Sequence, residues 1–425
     1  MLAEFRLPRV TLWRPISSVR CAVEHGRGLQ MSNLKRRGIL MFIPILSGHT
    51  LSRLAAGAIV AAACMSLAAP LLAQTVPRSH TYPLAALSAL HMVSAATGWA
   101  IGAQGVLRTT DGGLLWHTVT PRGARLVGNN CAYFLNAQTA WVATAPMAVS
   151  GHSTITVYTT HDAGRIWRRS VIRTGVDNEL TTWSLSFSGA RTGWLLGDSP
   201  GAAGSMGFTI WRSADGGAYW HVVTSVRLSG GDKIGIAAAS PYRVFLTSTN
   251  PVFDAPPTVE QYDAAGRSVK ISLPLCQSIA NAPIADPPIF FPGGYGIMPA
   301  YGTNTAGSGI NAVVYYATHN GGMTWTCTHA APGDTVAFLY PARSFINPRE
   351  GWSEAGGRLY RTSNGGTTWW RQQSNLTLSA WNVNLQFVSP RLGWAALTSS
   401  QNTCQLAQTT DGGRLWRTLP ARVLS

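Results

Sequence analysis

The chain has 425 residues, 46% of them hydrophobic and only 12% charged, with 44 Gly, 16 Trp and 33 Lys+Arg against 17 Asp+Glu. That much apolar material excludes a chain disordered throughout. Few charged residues and abundant Gly and Trp exclude a helical bundle and favour strands and turns. The formal charge of +16 would point to nucleic acid or a membrane surface only if the basic residues gathered on the folded part.

They do not. Residues 1–73 read as an N-terminal extension and export signal. The cluster Lys35-Arg36-Arg37 and Arg53 precede the apolar run Leu54–Leu72, and Ala73-Gln74 closes it. The alternative is an uncleaved anchor through residues 54–72, since 19 apolar residues can span a bilayer. Removing the segment takes away nine basic and two acidic residues, leaving 24 against 15, a net of +9 that is scattered. The expected location is therefore the periplasm or cell envelope. Four cysteines remain, Cys131, Cys276, Cys327 and Cys404. Their pairing stays open between Cys276–Cys327, which fall in neighbouring repeats, other pairings, and four free thiols.

Residues 74–425 form one domain built on a repeat. A box of Ser/Thr, any residue, Asp/Asn, any residue, Gly, two residues and Trp occurs six times. Its Asp or Asn is Asp111, Asp162, Asp215, Asn320, Asn364 and Asp411, and its Trp is Trp116, Trp167, Trp220, Trp325, Trp369 and Trp416. The Asp/Asn spacings are 51, 53, 105, 44 and 47. The long gap holds a degraded copy at Asp263, within Tyr262-Asp263-Ala264-Ala265-Gly266, which makes seven repeats.

Upstream of the boxes lie the landmarks Gly98-Trp99, Ala140-Trp141, Gly193-Trp194, Gly351-Trp352 and Gly393-Trp394, with weaker equivalents at Val244-Phe245 and Tyr295-Gly296. The stretches between them alternate with a period of two, as in strands, and leave no room for a helix of ten residues. Seven four-stranded antiparallel units describe an all-β, seven-bladed β-propeller. Asp-Gly-Gly between two strands is a hairpin turn whose side chain accepts from its own backbone. These acids therefore read as structural, with the Trp covering the blade.

The box resembles the Asp-box, or bacterial neuraminidase repeat. Together with the Gly-Trp landmarks it resembles the photosystem II stability/assembly factor-like family of seven-bladed propellers, over roughly residues 84–420. That resemblance implies a non-enzymatic scaffold whose partner is a protein, for instance a membrane-protein assembly intermediate. Sialidases, xyloglucanases and sortilin-type receptors share the box, so the alternative is a carbohydrate-active propeller or lectin.

The sequence carries no His-Glu-x-x-His, Cys-x-x-Cys, Gly-x-Ser-x-Gly or phosphate loop, hence no expected catalytic, metal or cofactor site. Outside the boxes the acids are few. Asp198 and Asp232 sit near Gly and read as solvated turn residues rather than a cleft pair. Arg108, Arg212 and Arg361 lie three residues before a box Asp or Asn, and Arg168 and Arg417 one after a box Trp. They read as a polar face with apolar stems, or as a basic surface for an acidic partner segment. Nucleic acid is not expected as a partner, since Lys is scarce and no stacking platform can be traced. A monomer is expected. Gly197–Gly207, Asn250–Glu260 and Gln277–Gly309 depart from the repeat and are candidates for specificity.

Overall fold

A computed structural model describes residues 80–424 except 125, 127–130, 145–153, 175–181, 199–204, 250–255, 277–280, 304–311, 329–341 and 381. The export segment, with its alternative anchor, lies outside the described residues. The rest is the expected all-β, seven-bladed propeller of four-stranded antiparallel blades. Among the described residues the only helix is one 3₁₀ turn, Pro292–Gly294.

Blade 1 consists of Leu87–Met92, Gly98–Gly102, Gly105–Thr109 and Leu115–Thr118, from the innermost strand outward. Blade 2 is Cys131–Phe134, Ala140–Thr144, Thr154–Thr160 and Arg168–Arg173. Blade 3 is Thr182–Phe187, Gly193–Asp198, Ser205–Ser213 and His221–Gly230. Blade 4 is Lys233–Ser240, Arg243–Ser248, Thr258–Asp263 and Ser268–Ile271. Blade 5 is Asn281–Ala285, Gly296–Thr303, Ala312–Thr318 and Thr326–Cys327, with Ile289–Phe290 continuing the first strand. Blade 6 is Arg343–Phe345, Gly351–Ala355, Arg358–Thr362 and Trp370–Arg371. Blade 7 is Asn382–Phe387, Gly393–Thr398, Cys404–Thr409 and Trp416–Thr418.

The ring closes on the outside of blade 1. Arg422–Leu424 pairs in parallel with Leu115–Thr118, and Thr81–Pro83 pairs antiparallel on top of it. Val423 is buried beneath the pair. Both ends of the domain therefore cover one outer edge, which would otherwise present unpaired backbone groups.

The blades are joined by a repeated aromatic contact. The last core-facing residue of each first strand stands six residues before the landmark position: Met92, Phe134, Phe187, Ala238, Phe290, Phe345 and Phe387. A Cβ on Gly193, Gly351 or Gly393 would overlap the ring of Phe187, Phe345 or Phe387 across the strand pair, which is why the landmark begins with Gly. The landmark Trp of the preceding blade then lies on that ring. Trp141 stacks on Phe187 with centroids 3.7 Å apart, Trp352 on Phe387 at 3.8 Å and Trp99 on Phe134 at 5.4 Å. Each stack contributes roughly 0.5–1.5 kcal/mol beyond its buried area.

The indole N–H reaches further. Trp141 donates to Gly216 O at 2.7 Å, Trp352 to Gly412 O at 3.2 Å and Trp394 to Gly112 O at 2.8 Å, each a box carbonyl of the next blade. Trp99 donates to Asn136 O of blade 2 at 2.9 Å.

Trp99 thus reaches a blade 2 loop outside the box, and among the described residues three successive junctions have no indole bond to the next blade at all. At 3/4 the box is replaced by the tight hairpin around Asp263, and the buried Trp194 Nε1 has no partner among the described residues. At 4/5 the landmark is Phe245, whose ring lies against Gly322 of the blade 5 box. At 5/6 it is Ile297. The blade 5 landmark was expected at Tyr295-Gly296 but falls one residue later, because it is Gly296 that pairs with Phe290.

Replacing Gly393 by Ala is expected to destabilise the domain by about 1–3 kcal/mol through overpacking against Phe387. Guanidinium unfolding of residues 74–425 measures it, and an unchanged midpoint would refute the Phe-on-Gly contact.

Candidate functional site

The boxes are closed hydrogen-bond units. Thr109 Oγ1 donates to Asp111 Oδ1 at 2.8 Å and accepts from Gly113 N at 3.0 Å, while the carboxylate accepts from Leu114 N and Leu115 N. Asp162, Asp215 and Asp411 repeat the arrangement with Thr160, Ser213 and Thr409. Asn320 and Asn364 keep it, and turn their extra N–H toward Thr324 and Thr368 at 2.8 and 2.9 Å. The sequence carries a matching signal. Boxes with Asn have Thr four residues on, while the complete boxes with Asp have Leu115, Ile166, Tyr219 and Leu415 there.

The backbone N–H of Ile166 holds the Asp162 carboxyl below its usual range. For Asp215 and Asp411, partial burial acts in the opposite direction, but the N–H groups of Tyr219 and Leu415 and the box hydroxyls outweigh it. Asp263 has no hydroxyl partner, since Gln261 stands two residues before it. Its carboxylate instead accepts from Ala265 N, Arg267 N and Arg267 Nε. The box indoles of Trp116, Trp220, Trp325 and Trp416 donate to their own box Gly at 2.9–3.0 Å. Trp167 donates to Val119 O of blade 1, and Trp369 Nε1 has no partner among the described residues.

The five arginines divide. Arg108, Arg212 and Arg361 lie over the landmark rings of Trp99, Trp194 and Trp352, 5.1–5.5 Å from the centroids. Arg108 and Arg212 donate to Ala137 O and Pro241 O of the next blade, and Arg361 pairs with Glu350. They are engaged within the fold. Arg168 and Arg417 are exposed on outer strands, as are His117 and His221.

Several buried ionisable groups gather on one arc, at junctions 3/4 and 5/6, where no described indole reaches the next blade. At junction 3/4, Lys233 is 1% exposed, with its ammonium over Phe208 at 5.4 Å. It donates to Ser229 Oγ, Gly230 O and Gly231 O. Burial pulls its pKa down, against the attraction of Glu260, Asp198 and Asp232. Asp198 is the last residue of a strand and is 1% exposed, not a solvated turn residue. The Lys233 charge explains how a carboxylate is held there. Tyr262 donates to Glu260 Oε2 at 2.5 Å, and burial raises the phenol pKa.

At junction 5/6, Asp286 sits where the blade 5 first strand is interrupted and pairs with Arg343 at 2.5 Å. Tyr301 donates to the same carboxylate and accepts from Arg343 Nη1 at 2.7 Å. Burial raises the Tyr301 phenol well above its ordinary value, and that of Tyr315 to about 12. Tyr315 donates to Ser353 Oγ across the junction at 2.6 Å. Burial also raises the Glu354 carboxyl, though Gly357 N donates to it at 2.7 Å.

Tyr262 stands one residue before the Asp263 hairpin, while Lys233, Asp198, Tyr301 and Arg343 lie toward the strand ends opposite the boxes. The second-to-third-strand and blade-to-blade connections leave from that side. Gly197–Gly207 and Asn250–Glu260 cover second-to-third-strand connections, whereas Gln277–Gly309 spans the first and second strands of blade 5 as well. Parts of all three lie outside the described residues. Among the described residues no three His, Cys, Asp or Glu gather where they could hold a metal. Sequence reading missed Lys233, Tyr301, Tyr315 and Arg343, since a Lys or Tyr in a strand carries no mark of the neighbour it meets.

No protein-family model matches the chain, and no curated protein matches it. Among solved structures it is similar to YCF48 bound to a D1 peptide, with 16% identity and a TM-score of 0.46 over 79% of this chain and 93% of that one. It is similar to the GH74 xyloglucanase of Xanthomonas campestris, with 14% identity and a TM-score of 0.36 over 80% and 69%. A PL25 ulvan lyase shares 9% identity at a TM-score of 0.49 over 80% and 97%. At these identities the shared feature is the fold.

Two outcomes follow. Breaking the Asp286–Arg343 pair from one side, as in Asp286→Asn or Arg343→Met, is expected to cost about 3–5 kcal/mol. The double substitution should cost less than the sum, and a double-mutant cycle by chemical unfolding reads the coupling; additivity would remove it. The depressed box carboxyls stabilise the fold above the ordinary carboxylate range of about 4, and that contribution is lost as pH falls through their folded values. Melting temperature should therefore fall on the acid side, and less steeply in Asp162→Asn/Asp215→Asn/Asp411→Asn. An identical acid limb would acquit the boxes.

Proposed function

We propose that this chain is an exported, non-enzymatic propeller that binds a protein partner as a monomer. This is the role its resemblance to photosystem II stability/assembly factors implies, with a membrane-protein assembly intermediate as the partner. The observation that carries this reading is the engagement of the acids in the polar arc. Asp286 is tied to Arg343 and Tyr301, Glu260 to Tyr262 and Glu354 to Gly357 N, and beyond the arc Glu350 is tied to Arg361. Paired-carboxylate hydrolysis needs an acid and a base open to substrate, and these are committed to the scaffold. The exposed Arg168 and Arg417 remain available to an acidic partner segment. The Cys276–Cys327 disulfide fits an oxidising compartment outside the cytosol and supports the export reading.

The carbohydrate-active alternative would draw on Glu354, the buried carboxyl whose pKa is raised, beside Tyr315 and Arg343. One pair of experiments separates the two. Residues 74–425, immobilised and exposed to detergent-solubilised membranes, should retain a defined membrane protein. Arg168→Glu/Arg417→Glu should retain much less of it at unchanged melting temperature. A panel of fluorogenic glycosides and uronate polymers should stay uncleaved. Turnover that disappears in Glu354→Gln would reverse the conclusion.

A further inference from the structure

Junction 4/5 is fastened differently from every other. The landmark slot holds Phe245, which has no N–H to donate to the blade 5 box, although its ring occupies the place against Gly322 that Trp141 occupies against Gly217. The outer strand of blade 5, Thr326–Cys327, is only two residues long. At this place the chain is cross-linked. Cys276, in the segment after the outer strand of blade 4, is bonded to Cys327, with Cα atoms 5.6 Å apart. Cys276 belongs to the junction core with Phe245, Val259, Ile271, Met298, Tyr316 and Trp325, and Cys327 packs against it. Tyr316 Oη also donates to Pro274 O, two residues before Cys276.

We infer that the Cys276–Cys327 disulfide is a redox clasp that takes the place of the missing Trp-to-box bond, so that its reduction loosens blade 5 against blade 4 while the junctions fastened by Trp stay closed. The chemistry is a thiol–disulfide exchange. A dithiol reductant supplies two electrons and two protons, leaving two cysteine thiols, and is itself oxidised to its cyclic disulfide. Cys327 is partly exposed, which gives the reductant access. The two other described thiols do not compete. Burial raises Cys131 to about 12 and Cys404 to about 11, so neither is an effective thiolate near neutral pH. The irregular stretch 277–309 contains the first and second strands of blade 5, so the clasp holds the blade that carries the longest departure from the repeat. This inference does not depend on the partner proposed above.

Hydrogen exchange read by mass spectrometry tests it on residues 74–425, with and without dithiothreitol. Peptides covering 258–271 and 312–327 should exchange at least about tenfold faster after reduction, while those covering 393–409 and 140–160 keep their protection. Cys276→Ser/Cys327→Ser should reproduce the pattern; if it does not fold, the chemically reduced protein decides, with thiol titration confirming two additional thiols. In the oxidised protein, Trp141→Phe should loosen peptides 140–160 and 205–213 in the same local way. Uniform acceleration across all blades on reduction, or no acceleration, would overturn the clasp. A silent Trp141→Phe would overturn the equivalence of the two fastenings.

Discussion

The regular junctions of this ring depend on one contact: an indole of one blade lying on a phenyl ring of the next, with a glycine lacking Cβ opposite that ring at Phe187 and Phe387. Trp141 on Phe187 and Trp352 on Phe387 show it at 3.7 and 3.8 Å. The contact sets the distance between blades, buries the largest side chains in the protein and aims the indole N–H at a carbonyl of the next box. The box is therefore more than a staple for its own outer hairpin. Its Thr and Asp hold the Gly-Gly turn in place, and that turn offers the acceptor that locks the preceding blade.

The same logic explains the asymmetry of the ring. Where the box is lost in blade 4, Trp194 has no acceptor among the described residues; where the landmark Trp is lost in blades 4 and 5, no indole donor exists. These three neighbouring junctions are held by other chemistry: the buried Lys233 with its acids, a disulfide, and the Asp286–Arg343 pair. Buried ion pairs add less net stability than well-packed apolar contacts because desolvation offsets their attraction. Their concentration on one arc sets that part of the ring apart from the junctions fastened by Trp.

Much of this was legible in the residues. The period of the box and landmarks specified the number of blades and their strand count, and even the degraded copy at Asp263 lies at a hairpin in the expected place. The phenyl half of the interblade contact was missed, although its signal, an apolar residue six before each landmark, stands in the sequence. Noticing it would have placed the fifth landmark at Gly296 rather than Tyr295-Gly296. Asp198 was misjudged because adjacent Gly, Ser and Pro suggest a turn, whereas the strand continues through it and Lys233 of the next blade supplies the compensating charge.

By itself the sequence determined the fold. A repeated local hydrogen-bond unit and a repeated apolar spacing act within each blade, and their physics can be read a few residues at a time. Tertiary structure decided which arginines cap tryptophans and which face solvent, which cysteines bond, and which buried charges meet. The disulfide and the Asp286–Arg343 pair join residues of neighbouring blades far apart in the chain, 51 positions in the case of the disulfide. Only the packing of blade on blade brings them together, so no local pattern announces them.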